Sequence, residues 1–351
     1  MKRYDRHSKL WVSSMLMLLL TLLAACTGDH TTDMPQGVPL QLSSVTRTSS
    51  ALIPDENSNI KLFVTTKEDG WAVGEFNYDN VWVNNGLSVK EHTQYYIYGF
   101  MPNDAALLHS SSLAKPVDER KDYSGGADLT LEGLPVFTDK DICIVVGVRQ
   151  VNNTETDTEP VEGNYSYQSV LASQNYVNLL MDHLYSQLIL QFNIDEKYSQ
   201  LRHIHLKEVK LTSTYGEKVN ATIRLKAGSG LITNTVDYSK YKDDNTSDTK
   251  TLSLLEAEKD LTTTPVQIGS VLNCVPRTFD ANGTYLTISC KYDVYNKDND
   301  KVLRQDCIVT NKLKLSNMSS GTQRTVTLTV SPTYLYVLSD DDLNNPTVTV
   351  N

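Results

Sequence analysis

The chain has 351 residues, with 32 Lys+Arg against 42 Asp+Glu and a formal net charge of −10. That sign argues against nucleic acid as a partner, because a phosphate backbone is held by an excess of Lys and Arg. At about 100 to 200 residues per domain, the length suggests two domains.

Lys2, Arg3, Arg6 and Lys9 precede an apolar stretch, Leu10 to Leu23, that is too short to be a stable membrane span. Leu23-Ala24-Ala25-Cys26 follows, small residues before a cysteine. It resembles a lipobox, where the thiol is acylated and the chain is cut just before it. Residues 1–25 therefore read as a lipoprotein signal peptide, and Cys26 as a lipidated N-terminus held at a membrane surface. Their removal takes away Lys2, Arg3, Arg6, Lys9 and Asp5, leaving 28 Lys+Arg against 41 Asp+Glu, a net charge of about −13. No second long apolar run occurs.

Residues 27 to 37 are polar and contain Gly28, Pro35 and Gly37, as a tether would. Beyond them the dominant signal is period-two alternation in short runs rich in Val, Ile, Thr and Tyr, so the chain is all-β. Val38, Leu40 and Leu42 alternate with Pro39, Gln41 and Ser43 in a first strand, followed by Ile60 to Thr65, Tyr95 to Phe100, Ile142 to Val151 and Tyr176 to Leu180. A second series runs through Leu188 to Ile194, Ile204 to Leu211, Thr222 to Leu225, Leu286 to Tyr295 and Val326 to Val330. The boundary between the two series falls near residue 182. Within Ile204 to Leu211 the apolar set slips phase, as a β-bulge near Lys207-Glu208 would produce. Short helical turns are expected around Asp104 to Ser112 and Leu252 to Leu261, and a polar loop over residues 239–251. No repeat of 20 to 50 residues is evident, leaving two packed sandwiches as the simplest architecture.

The spacings that place a metal pair, a nucleophile or phosphate-cradling amides are absent, so no catalytic residue is assigned. His203 and His205 share one face of a strand, but it is the solvent face, and they read as surface residues rather than metal ligands. Asp298-Asn299-Asp300 and Asp340-Asp341-Asp342 lack the glycine and distal glutamate of a calcium loop and read as solvated turns. No metal or cofactor is expected. Cys143, Cys274, Cys290 and Cys307 show no C-x-x-C spacing. A hairpin about residues 296–301 that pairs Tyr295 with Val302 would set Cys290 opposite Cys307, where a disulfide is conceivable, against the simpler reading of Cys290 as a small core residue. Cys143 reads as core, and Tyr95, Tyr96 and Tyr98 as sheet packing.

The chain ends carry the remaining signal. Between Cys26 and residue 60 the only Lys or Arg is Arg47, in the polar run Ser43 to Ser50, a single target for a trypsin-like protease. After Val326 to Val330, where a domain could stop, two further short strands follow, Tyr334-Leu335-Tyr336-Val337-Leu338 and the run containing Val348 and Val350, set off by Pro332 and Pro346. The plain reading is that both pack on their own domain.

The lipobox, Thr46-Arg47, Tyr95-Tyr96-Ile97-Tyr98-Gly99-Phe100-Met101-Pro102, His183-Leu184-Tyr185-Ser186-Gln187-Leu188 and Tyr334 to Asp340 together resemble the fimbrillin (FimA/Mfa-like) pilin lipoproteins of Bacteroidales. The resemblance spans nearly the whole chain. It implies two transthyretin-like β-sandwich domains in tandem, 48–182 and 183–332, behind a tether and cleavable first strand at 26–47. It also implies export to the outer membrane, proteolysis between Arg47 and Thr48 by a surface protease, and polymerisation into fimbriae with other pilin subunits. Release of Val38, Leu40 and Leu42 would then open a groove for a partner's strand, with residues 333–351 as the donor, carrying Tyr334, Leu335, Tyr336, Val337, Leu338, Val348 and Val350. Two alternatives stand beside this reading. One is an uncut tip or anchor adhesin that binds a host receptor through Trp71, Trp82 and Tyr98. The other is a surface glycan-capture lipoprotein.

Overall fold

The computed structural model describes residues 37–47, 54–67, 70–118, 120–151, 160–170, 175–229, 235–243, 245–276, 286–313, 318–331 and 347–350. The fold is all-β. The single helix among these residues is one turn, Glu196–Ser199, capped by Asp195, whose side chain accepts from the amides of Lys197 and Tyr198.

The largest sheet runs in the order Gln41–Arg47, Tyr176–His183, Cys143–Val151, Gln94–Met101, Asn59–Thr65, Trp71–Asp79, Val81–Asn84, with Ser166–Gln168 added against Gln94–Met101. Its central strands are apolar on both faces, as strands covered on two sides must be. Leu62, Val64, Ile97, Cys143 and Val145 point into one core; Phe63, Tyr98, Phe100, Ile144 and Val146 point into a second. This explains the uninterrupted run Ile142-Cys143-Ile144-Val145-Val146.

The second core is shared with a four-stranded sheet ordered Thr235–Lys240, Lys218–Lys226, Gly126–Pro135, Ser110–Ala114. It continues without a break into the C-terminal half. There a six-stranded sheet, built on Ser186–Ile194 and Gln323–Ser331, faces a five-stranded sheet built on Arg202–Ser213, Leu286–Asn296 and Val302–Leu313. Leu188, Leu190 and Phe192 from the first meet Ile204, Leu206, Val209, Ile288 and Val294 from the second in the same apolar cluster. Gly126–Pro135 pairs with Lys218–Lys226, and Phe137–Thr138 with Leu272–Cys274, so strands from both sides of residue 182 share sheets. The connection itself is buried: Leu184 and Tyr185 lie in the core, the Tyr185 hydroxyl donates to the Pro135 carbonyl at 2.5 Å, and the Tyr238 hydroxyl donates to the Leu184 carbonyl at 3.3 Å.

The phase slip in Ile204 to Leu211 is a bulge, with the register against Leu286–Asn296 shifting between Leu206 and Glu208. The first expected turn is a single one, with the Leu107 and Leu108 amides donating to the Asp104 carbonyl at 2.9 and 3.2 Å, and the second does not form. Ala106 donates to the Asp104 side chain in a tight turn before the strand Ser110–Ala114, and the second segment holds the strands Lys250–Ser253 and Lys259–Asp260. Leu107, Leu108, Leu254 and Leu261 are buried loop anchors whose spacing imitates a helix face.

The hairpin about residues 296–301 forms, and Tyr295 pairs with Val302. Cys290 nevertheless faces Val309 and Cys307 faces Tyr292, because the second strand carries extra residues between Val302 and Cys307. Asp306 adopts φ +54°, and its amide donates to Asp293 Oδ1 at 2.7 Å. The nearly buried Asp293 carboxylate needs such donors, and the bulge supplies one. None of Cys143, Cys274, Cys290 and Cys307 is in a disulfide.

Candidate functional site: the N-terminal edge strand

The segment that enters the fold at Gly37 does so beside the Val89 backbone, where a Cβ would lie 2.5 Å from the Val89 carbonyl oxygen. Val38–Pro39 pairs briefly with Ser88–Val89. The chain then crosses to the large sheet, where Gln41–Arg47 runs parallel to Tyr176–His183 at the sheet edge. The expected single strand Val38 to Leu42 is thus two short ladders in two sheets, with Leu40 at the crossing. The Leu40 amide donates to the Leu87 carbonyl at 3.2 Å, and the Asn84 side-chain amide donates to the carbonyls of Leu40 and Leu87 at 2.7 and 2.6 Å.

Leu40, Leu42 and Val45 are 0%, 6% and 8% exposed and belong to the core of the large sheet, against which Val38 also packs. Leu42 and Val45 are three apart, and strict alternation would put them on opposite faces. The register slips between Val177, opposite Leu42, and Asn178, opposite Ser44, so an extra residue turns both apolar side chains inward. Each buried Leu or Val side chain contributes about 1.5–3 kcal/mol. The Thr46 hydroxyl donates to the Leu179 carbonyl at 3.3 Å. Arg47 is the last residue of this strand, opposite Met181, rather than part of the polar loop its neighbours suggest. Cys26 and Thr48 lie outside the described residues.

Tyr78, Asn80, Val81 and Trp82, from the far end of the same sheet, approach Leu42 to Val45 across a cavity of about 280 Å³ that Pro54 also lines. The Tyr78 and Trp82 rings meet edge to face at 5.2 Å. Of the three aromatics expected to face a receptor, Trp82 lines this cavity. Tyr98 is fully buried with its hydroxyl donating to the Tyr123 carbonyl at 2.5 Å, and Trp71 packs edge-on against Phe63 at 5.1 Å. Tyr98, on a central strand covered on both faces, has no route to solvent, whereas Trp71 remains partly exposed.

No protein-family model matches the chain, and no curated protein matches it. Among solved structures, a fimbrial protein from Bacteroides vulgatus superposes with a TM-score of 0.54 at 14% identity, over 89% of this chain and 98% of that one. This chain has the fold of that fimbrial protein. The fimbrial anchor protein Mfa2 from Porphyromonas gingivalis matches over 89% of this chain and 97% of that one, at 10% identity and a TM-score of 0.32.

At the other end of the chain, Thr347–Val350 pairs antiparallel with Gln323–Ser331 at the edge of the six-stranded sheet, Val348 opposite Val330 and Val350 opposite Leu328. This donor candidate therefore lies on a sheet of its own chain. Tyr334, Leu335, Tyr336, Val337 and Leu338 lie outside the described residues, as do Asp340 to Asp342.

His203 and His205 share a face, but their partners are acidic. His203 stacks on Tyr295 at 4.7 Å, while the two nitrogens of His205 meet Asp260 and Glu258 at 2.8 Å each. Those hydrogen bonds, from Glu258 first and Asp260 second, raise the His205 pKa above its ordinary value. Nearby Lys207 bridges Asp306 at 2.7 Å and Asp293 at 3.3 Å. Sequence spacing could not reveal these pairs, because Asp260, on the two-residue strand Lys259–Asp260, and Glu258 just before it come from more than fifty positions away.

Proposed function

We propose that the protein is a structural pilin or pilus-associated subunit of bacterial fimbriae that supports adhesion. It reaches the outer membrane as a lipoprotein through Cys26. A trypsin-like surface protease cuts between Arg47 and Thr48, and the subunit then polymerises with other pilin subunits by strand exchange. The observation that carries this reading is the strand Gln41–Arg47: a sheet-edge strand seated through Leu40, Leu42 and Val45, whose last residue is the only arginine in its neighbourhood. The fold shared with a fimbrial protein supports it.

Cutting after Arg47 leaves the segment from Val38 held by the parallel ladder to Tyr176–His183, the two-residue ladder of Val38–Pro39 on Ser88–Val89, the hydrogen bonds of Leu40 and Thr46, and the buried side chains of Leu40, Leu42 and Val45. Its departure exposes the backbone of Tyr176–His183 and an apolar groove, which a strand from another subunit fills by β-augmentation. Within the donor segment, residues 333–351, the described strand Thr347–Val350 pairs with Gln323–Ser331 at four positions and is the part to be given up. Four or five Leu, Val or Tyr side chains seated in the groove at about 1.5–3 kcal/mol each exceed what the departing strand loses, before the cost of association. An Arg47→Ala chain should stay lipid-anchored and form no ladder of heat-labile multimers on gels. Wild-type multimers from that variant would sink the cleavage step.

The cavity between Trp82, Tyr78 and the strand favours a second reading, an uncut tip or anchor subunit. One of its walls is Leu42 to Val45, so it exists only while the strand is in place. A glycan array probed with the Arg47→Ala chain and with chain trimmed to Thr48 separates the two: binding by the untrimmed chain alone supports the adhesin.

A further inference from the structure

We propose that Asp141, Cys143 and His183 form a binding site for one zinc ion, buried where the large sheet meets the six-stranded sheet. Cys143 and His183 are directly opposed across two antiparallel strands, and Asp141 precedes Cys143 by two residues. All three ligand atoms lie within 4.8 Å of one another. His183 Nδ1 is 2.9 Å from the Asp141 carboxylate oxygens and 3.9 Å from Cys143 Sγ.

The arrangement is that of ligands around a cation, for two reasons. Zinc bonds of about 2.0–2.3 Å in a tetrahedron place neighbouring ligand atoms about 3.3–3.7 Å apart. The two separations from His183 Nδ1, 2.9 and 3.9 Å, bracket that range, and the Asp141 and Cys143 ligand atoms lie within 4.8 Å of each other. Second, the thiol and the carboxylate converge on the same ring nitrogen. A nucleophile, base and orienting acid use opposite nitrogens of the imidazole, so the cluster is not a cysteine–histidine–aspartate relay. One nitrogen, one sulfur and one carboxylate make a donor set that suits a borderline-soft divalent ion such as zinc.

Cys143 is fully buried and His183 is 8% exposed, while the Asp141 side chain keeps 19% of its surface, so an ion enters past Asp141. On the other side Gly321 lies against the His183 ring, its amide donating to the Tyr185 carbonyl at 2.9 Å. On binding, Cys143 gives up its thiol proton, His183 keeps its remaining proton on Nε2, and water completes the fourth position. The ion then links two strands of the large sheet at the point where the chain passes into the next one.

The test is zinc titration of the purified protein by calorimetry, with cobalt as a spectroscopic probe of thiolate ligation. The wild-type chain should bind one zinc and show a thiolate-to-cobalt charge-transfer band. Asp141→Asn keeps the shape and a hydrogen bond to His183 but loses the charge. It should weaken zinc by more than the roughly 10- to 100-fold that loss of an outer partner costs. Cys143→Ser should lose the band, and zinc should raise the melting temperature of wild type but not of either variant. If Cys143→Ser does not fold, Asp141→Asn and His183→Gln decide. Absence of the band in wild type, or unchanged zinc affinity in Asp141→Asn, overturns the site.

Discussion

Single side chains in this protein do work that sequence pattern expresses only in part. The bulge at Lys207-Glu208 was readable, because a phase slip in apolar residues leaves a mark on alternation. The bulge at Asp306 was not, because its cause is a buried carboxylate, Asp293, thirteen residues earlier. That bulge and a second register shift between Val302 and Arg304 together separate Cys290 from Cys307. Burial pushes the Cys290 thiol up to about 12 and raises that of Cys307 as well, so neither is a ready thiolate. Alkylation after denaturation without reductant should therefore label both, and a disulfide-linked peptide would contradict the register. His205 offers a pH test. Its folded pKa is raised, so the stabilisation from Glu258 and Asp260 is fully present below the unfolded value of about 6.5 and is lost as pH rises through the folded value. His205→Gln should lower the urea midpoint near pH 6 and leave it unchanged well into the alkaline range. An equal loss at both pH values would show that the histidine acts by packing alone.

At the scale of elements, most strands were legible because β-branched and aromatic residues alternate along them, and tertiary burial preserves that pattern. The N-terminal segment was read as one strand and is two, because the chain switches sheets at Leu40 while its apolar spacing continues. Arg47 looked like a loop residue because Ser43 to Ser50 is polar, yet an edge strand needs only one apolar face, and Leu42 and Val45 supply it. Leu40→Ala should lower the stability of the uncut chain by about 2–5 kcal/mol in chemical unfolding. Deleting residues 347–351 tests the donor end. Because Thr347–Val350 is a four-residue edge strand, the deletion should leave the monomer's melting temperature within a few degrees while abolishing multimers. Normal multimers from the deleted chain would assign the donor elsewhere.

Across the whole molecule, composition and alternation implied an all-β chain with two series of strands, and they placed a junction near residue 182. They could not show that the junction is buried, with Leu184 and Tyr185 in a core common to both series, because pairing between residues 126–138 and 218–274 is long-range and leaves no local trace. The same limit hid the meeting of Asp141, Cys143 and His183. The two edges at which strand exchange is proposed are Gln41–Arg47 on the large sheet and Thr347–Val350 on the six-stranded one. The central claim, that the edge strand is removed to allow assembly, is tested most directly by N-terminal sequencing of the protein recovered from assembled surface fibres. The account predicts a start at Thr48. Fibres whose subunits still begin at Cys26 would contradict it.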